Sequence, residues 1–198
     1  MKSGQLPLYG YWALVLCIAI QRLVELCRSR RNEAWLQARG AQEVAPRHFM
    51  AMRWLHAGWL GGCIAEAAWR QQGPGLLISL AACGLLVLGQ ILRYAAMSAL
   101  QERWTARIFI LPGVPPVTHG IYRYIRHPNY LGVVLEVAAL PSIFGDWITA
   151  IACSVANVVI LCIRIRAEEA ALEAAGGYAQ AFAHTGRFFL CADRKQRA

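Results

Sequence analysis

His119-Gly120-Ile121-Tyr122-Arg123-Tyr124-Ile125-Arg126-His127-Pro128-Asn129-Tyr130-Leu131-Gly132 packs three tyrosines, two histidines and two arginines into fourteen residues, directly before an apolar run that lasts to Phe144. A second apolar run, Trp147 to Ile165, follows and leads into Arg164-Ile165-Arg166-Ala167-Glu168-Glu169. Between the two runs lies only Gly145-Asp146, a link so tight that the runs read as an antiparallel helical hairpin. Polar groups at the ends of membrane helices are costly unless they bind something. The hairpin therefore sets the fold class, and its two polar ends mark the place for chemistry.

Working outward, three more apolar stretches precede this hairpin: Leu8 to Cys27, Trp54 to Trp69 and Gly75 to Leu100. A spanning helix needs about 20 apolar residues. The first, third and fifth segments meet that length, whereas the second and fourth are shorter and contain Glu66 and Glu136. These two read either as spans inside a bundle or as a re-entrant pair. The gap 28–53 reads as an interfacial helix or loop. Leu111-Pro112-Gly113-Val114-Pro115-Pro116 is too proline-rich for a helix and must be extended or turning.

The chain of 198 residues is 58% hydrophobic and 16% charged, which is the composition of a membrane protein rather than a soluble domain. Its net charge of +9 is concentrated in gaps between apolar runs, which argues for membrane topology and against nucleic-acid binding. One set of gaps carries Arg28, Arg30, Arg31, Arg39, Arg47, Arg53, Arg103, Arg107, Arg123 and Arg126, and the tail adds Arg187, Arg194, Lys195 and Arg197. The opposite set carries Lys2 and Arg70. The expectation is an all-α membrane protein of about five transmembrane helices, N-out and C-in. Both polar ends of the hairpin then face the cytoplasm. The seven cysteines form no C-x-x-C pair and read as small buried hydrophobes; no metal site is expected. The first apolar run ends in Arg22, Glu25 and Arg28 rather than in a cleavage site, so it reads as a retained helix.

Arg164, Glu168 and Leu172 share one helical face at i, i+4, i+8. Two readings are open: a solvated ion pair with a snorkelling arginine, or a guanidinium gripping an anionic substrate beside a carboxylate that binds a cationic cofactor. Pro128 suits the first turn of the fourth helix, with His127 and Asn129 flanking a helix start that favours anions. The plainer alternative is an interfacial cap with Tyr122, Tyr124 and Tyr130 as an aromatic belt. His56 reads as a packed or interfacial histidine. Arg93 lies close enough to the cytoplasmic end to snorkel, and Arg22 and Glu25 pair at i,i+3. Trp104, Arg107 and the proline stretch lie where a lid over the site would be.

Thr118-x-Gly120-x-Tyr122-x-x-x-Arg126-His127-Pro128-x-Tyr130-x-Gly132, one apolar hairpin, then Arg164-x-x-x-Glu168-Glu169-x-x-Leu172 resembles the isoprenylcysteine carboxyl methyltransferase family over about residues 105–190. Phospholipid methyltransferases are related to that family. The resemblance implies a single membrane-embedded domain over 1–198, with N-terminal helices and an interfacial segment over 1–104 and a cofactor-binding catalytic region over 105–190. It implies S-adenosylmethionine as cofactor, contacted by Val117, Tyr122, His127, Pro128, Asn129, Tyr130 and Glu168. It makes Arg164 the substrate-facing arginine, and Arg164 and Glu168 the catalytic pair.

Arg22-Leu23-Val24-Glu25-Leu26, Arg31-Asn32 and Trp104-Thr105-x-Arg107 resemble a bacterial branch that methylates alkylpyrones or alkylresorcinol-like phenols made by type III polyketide synthases. The implied activity is O-methylation, in a bacterial inner membrane, of a lipophilic acceptor (an isoprenylcysteine-type carboxylate or an alkylpyrone or phenol hydroxyl) drawn from the bilayer. No nucleic-acid or protein partner is expected. A carboxylate or acidic enol needs little base; a neutral phenol needs one, for which His127 and Glu168 are the candidates. Arg-His-Pro-Asn-Tyr also occurs in membrane sterol reductases, so a nicotinamide-dependent reductase is the alternative enzyme, and phospholipid N-methylation the alternative transfer. A transporter would show inverted repeats with mid-membrane polar breaks, and this chain shows neither.

Overall fold

The computed structural model describes residues 7–188; Lys2, Cys191, Arg194, Lys195 and Arg197 lie outside the described residues. Its long helices are α1 (Leu8–Gln37), α2 (Pro46–Arg70), α3 (Leu76–Leu100), α4 (Pro128–Phe144) and α5 (Trp147–Ala175), followed by the single-turn α6 (Tyr178–Ala181). α1, α3 with its 3-10 extension to Arg103, and α5 are long and apolar enough to cross a membrane. α4 is a shorter apolar helix of 17 residues. Large aliphatic side chains such as Leu23, Leu77, Ile91 and Val155 are exposed on the outside of the bundle, where a bilayer supplies the apolar contact. The protein is a helical membrane protein.

The helices run alternately up and down. At one end Tyr11 of α1 donates to Asp146 between α4 and α5 (2.9 Å) and stacks on Phe144 with ring centroids 4.9 Å apart. At the same end Ser79 of α3 donates to the Ile143 carbonyl (2.8 Å). At the other end Asn32 of α1 donates to the carbonyls of Gln101 and Trp104, just after α3. Trp59, fully buried in the centre, donates its indole N–H to the Val137 carbonyl of α4 (3.1 Å). Among the described residues, Arg70 is the basic residue at the Asp146 end; the opposite end holds nearly all the others.

The expected hairpin is present, and Gly145 makes its turn at φ +82°, a conformation that favours glycine. Pro128 occupies the first turn of α4, as its missing N–H requires. Glu66 proves to be an N-terminal clasp for α5: its carboxylate accepts from the backbone N–H of Ile148 (3.1 Å) and Thr149 (2.8 Å), donors that no helical carbonyl can reach. α3 and α4 cross at Gly89 and Gly132, where a Cβ on Gly132 would lie 2.5 Å from Cγ of Arg93 and 2.7 Å from the Gly89 carbonyl oxygen. Small residues let two backbones approach this closely in a membrane. Gly132→Val is expected to destabilise the protein by at least about 1–3 kcal/mol, because backbone cannot yield as a side chain can. Thermal unfolding in detergent checks this.

The stretch 28–53, expected as an interfacial helix or loop, is largely helical: residues 28–37 continue α1, and α2 begins at Pro46, eight residues before the apolar run. α5 continues ten residues past Ile165, which keeps Arg164, Glu168 and Leu172 on one helix as their spacing predicts. The fold is mostly helical, and β1 (Gln42–Val44) and β2 (Ile108–Ile110) add a short antiparallel ribbon with Glu43 opposite Phe109. The proline stretch 111–116 is extended and turning, as proline demands. Cys63 is buried, but Cys17, Cys27 and Cys162 are exposed on the outer surface.

Candidate active site

The two polar ends of the hairpin converge. α4 begins at Pro128 and α5 returns antiparallel to it, which sets Tyr130, two residues into α4, against Arg164 and Glu168 near the end of α5. Arg164 donates from Nε to the Tyr130 hydroxyl (2.9 Å) and from Nη2 to the Ala106 carbonyl (2.5 Å). Tyr130 in turn donates its hydroxyl proton to Glu168 Oε2. Arg164 is 4% exposed, so the snorkelling alternative fails: the guanidinium is turned inward and held by two fixed acceptors. Charge-assisted bonds in such a site are about twice as strong as neutral ones.

A second pair lies one helical step away. His127, 4% exposed at the N-terminal boundary of α4, places Nε2 3.0 Å from Glu169 Oε1. A carboxylate can only accept, so that nitrogen carries a proton and donates to Glu169. Arg187 closes on the same carboxylate at 2.5 and 2.9 Å. The segment before it runs back along residues 125–127: the N–H of Arg126 donates to Gly186 (3.0 Å) and that of His127 to Arg187 (3.2 Å). The phenols of Tyr122 and Tyr178 are both pushed well above their ordinary pKa by burial, with Glu168 adding to the shift. Both are therefore neutral hydrogen-bonding groups at physiological pH.

One cavity of about 510 Å³ joins these groups. Val117, Tyr122, His127, Asn129, Tyr130, Arg164 and Glu168 all line it, and Leu172 shares that wall with Arg164 and Glu168, as the i, i+4, i+8 spacing requires. Pro128 is buried in the first turn of α4 and is not part of the wall. Tyr124 is exposed outside it, so the three tyrosines do not form a belt. From this polar end the cavity extends between α1 and α2, past Leu26, Phe49, Met52 and Leu60.

Residues 104–111 with Val114, Pro116 and Val117 roof the cavity, in keeping with the lid position expected for this stretch. The N-terminal half holds this roof in place. Ser29 Oγ accepts from the Ala106 N–H (2.8 Å), and Asn32 donates to the Trp104 carbonyl (2.7 Å). Arg107 pairs with Glu43 (3.0 Å) across the ribbon and lies over the Phe49 ring at 4.8 Å. Arg164 is thereby tied, through Ala106, to α1.

Sequence reasoning missed Glu169, Tyr178, Phe182 and Arg187 as parts of the site. Glu169 was visible only as the neighbour of Glu168. Tyr178 and Phe182 were visible as an i,i+4 aromatic pair after the Gly176-Gly177 break. Arg93, expected to snorkel, is instead 4% exposed and bound to Glu25 (2.6 Å) and Glu136 (3.0 Å). Arg22 does pair with Glu25 (2.7 Å), and it reaches Glu136 as well (2.5 Å).

A bundle of membrane-length helices enclosing a cavity with one apolar arm and one polar, aromatic arm defines an integral-membrane protein with an internal two-compartment site. The Isoprenylcysteine carboxyl methyltransferase (ICMT) family profile matches residues 82–174, which take in the α3–α4 crossing, Tyr122 to Tyr130, and Arg164 to Leu172. Over 164 residues the chain is 34% identical to the uncharacterized protein YpbQ of Bacillus subtilis, covering 82% of this chain and 96% of that one. An uncharacterized protein of Haemophilus influenzae is 29% identical over 157 residues, 79% of this chain and 91% of its own. A protein-S-isoprenylcysteine O-methyltransferase of Schizosaccharomyces pombe is 31% identical over 93 residues, 46% of this chain and 39% of its own. Over residues 82–174 the chain matches the isoprenylcysteine carboxyl methyltransferase family, and it is distantly similar to a methyltransferase of that type.

Proposed function

We propose that this protein is an S-adenosylmethionine-dependent O-methyltransferase that acts on a lipophilic acceptor drawn from the bilayer. The observation that carries this reading is the Arg164–Tyr130–Glu168 chain of hydrogen bonds at the junction of the cavity's apolar and polar arms. The residues present fit the cofactor. Asn129 Oδ1 is buried with no hydrogen-bond partner among the described residues, next to the start of α4. Tyr122, Tyr178 and Phe182 supply an aromatic wall, and Glu168 a carboxylate suited to a cationic ligand. A volume of about 510 Å³ lies in the range of cofactor-sized pockets.

When bound, S-adenosylmethionine supplies a methyl group on a positively charged sulfur. The protein's part is alignment, charge balance and exclusion of water. Arg164, fixed by Tyr130 and the Ala106 carbonyl, orients an anionic acceptor oxygen with its remaining N–H groups. Glu168 balances cationic charge in the polar arm. The roof from Trp104 to Leu111 keeps water from the reacting atoms. Glu168, which accepts the Tyr130 hydroxyl proton, is the group that takes the proton of a phenolic acceptor, through or beside Tyr130. A buried arginine at the junction suits an anionic oxygen and opposes a phospholipid amine, since two cations would then meet. The family match also leaves no support for the reductase alternative.

All five long helices cross the membrane in this reading, N-out and C-in, with the site on the cytoplasmic side of a bacterial inner membrane. The support is the concentration of arginines at the site's end of the bundle. Cofactor then enters from the cytosol and acceptor from the lipid.

The test is to incubate the purified protein in nanodiscs with methyl-deuterated S-adenosylmethionine and a bacterial lipid extract, then analyse the lipids by mass spectrometry. Label in an O-methyl lipophile is the expected result; label in an amine, or none, overturns the reading. Glu168→Gln should weaken S-adenosylmethionine binding about tenfold or more, the scale of one charge-assisted contact. An unchanged calorimetric affinity would sink the role given to Glu168.

A further inference from the structure

The apolar arm of the cavity does not end in hydrocarbon. Its inner wall carries Arg22, Glu25 and Arg93, with His56 of α2 opposite. Arg22 and Arg93 each bridge the same two carboxylates, Glu25 and Glu136, in a closed and neutral ring. That ring does not exhaust the donors. Arg22 gives one N–H to Glu25 and one to Glu136, and its buried Nε has no partner among the described residues. His56 Nδ1 lies 2.8 Å from the Met52 carbonyl, so Nδ1 carries the proton and Nε2 is left as an acceptor.

An acceptor molecule with an unbroken hydrocarbon tail would press these groups against CH2, with no polar atom to meet them. That is unfavourable in a site from which water is excluded. Position along α4 gives the spacing. Tyr130, which contacts Arg164, and Glu136, which contacts Arg22, are six residues apart, an axial separation of about 9 Å.

We infer that Arg22 is a specificity-determining residue that selects acceptors bearing a second, hydrogen-bond-accepting oxygen roughly 9 Å from the reacting one. This deepens the methyltransferase reading and rests on it. The substrate class is an amphiphile with oxygen functions at two depths: the outer oxygen meets Arg164 and the inner one meets Arg22. The rest of the tail passes between α1 and α2 into lipid. In an extended chain, 9 Å corresponds to roughly seven carbon–carbon bonds.

The experiment scans the inner oxygen with a fixed headgroup. Binding of hexadecanoic acid and of its 4-oxo, 8-oxo and 12-oxo analogues is measured on the full-length protein in nanodiscs. The 8-oxo acid should bind about tenfold or more tighter than the 4-oxo and 12-oxo acids, as a hydrogen bond to a charged group implies. The double variant Arg22→Gln/Glu136→Gln keeps the buried ring neutral and should lose that preference while still binding hexadecanoic acid. Glu136→Gln alone, which leaves Arg22 in place, should keep it. Equal affinity for the three oxo acids, or a preference that survives in the double variant, overturns the inference. Failure of the methyltransferase reading shows separately, as absence of methyl label in any lipid, because the scan reads binding and not transfer.

Discussion

Arg164→Ala is expected to reduce methyl transfer by about 10²-fold or more while leaving cofactor affinity within a few-fold of wild type. The reason is the division of labour across the cavity. Among the described residues, the hydrogen bonds of the Arg164 side chain go to the Tyr130 hydroxyl and to the Ala106 carbonyl in the roof. Removing it takes away the charge that orients the acceptor and unties the roof at the point where water must be kept out. The groups suited to the cofactor, Asn129, Tyr122 and Glu168, make no hydrogen bond to Arg164 itself, and Glu168 keeps its bond from Tyr130. Arg164→Lys should fail nearly as badly, since one ammonium cannot hold Tyr130 and Ala106 in the fixed fork that a guanidinium provides. Calorimetry with the cofactor and single-turnover transfer separate the two effects. Equal loss of cofactor binding in Arg164→Ala would move the residue from acceptor positioning to cofactor binding. Unfolding temperature of the same variant checks that the bundle is intact.

What the sequence made legible was local. His127-Pro128 announces a helix start, Gly145-Asp146 a tight turn, and Arg164, Glu168 and Leu172 a shared face; each depends on residues within a few positions of one another. The C-terminal end of α1 is less legible for an equally local reason. Arg28 to Gln37 is charged, and charge alone leaves an interfacial helix and a loop equally open. Yet Arg, Glu, Leu and Gln are good helix formers, and Ser29 and Asn32 turn inward to hold the roof. Strands of three residues are too short for any alternation to show, so the ribbon of β1 and β2 left no pattern. The Arg93 contacts were invisible because their partners lie 68 and 43 residues away in the chain. Long-range pairing of this kind has no sequence period, and it emerges only when α3 and α4 close on each other at Gly89 and Gly132.

That closeness couples the crossing to the buried ring. The stem of Arg93 runs over Gly132, with its Cγ only 2.5 Å from where a Cβ would sit, so the glycine is also what lets the guanidinium reach Glu136. Arg93→Met is accordingly expected to cost about 3–5 kcal/mol of stability. The substitution fills the space of the stem but leaves two buried carboxylates sharing Arg22 alone, with one net negative charge between helices. Glu136 is the more exposed to this loss in energetic terms: its Oε1 already has no partner among the described residues, and both of its ion pairs fall on Oε2. Arg93→Met/Glu136→Gln should recover most of the stability, because it restores neutrality and leaves Arg22 with Glu25. Thermal unfolding of the two variants in the same detergent decides the matter. A single variant as stable as the wild type would mean that the ring is hydrated and contributes little. A double variant no better than the single would mean that Arg93 acts through its packing on Gly132 rather than through its charge.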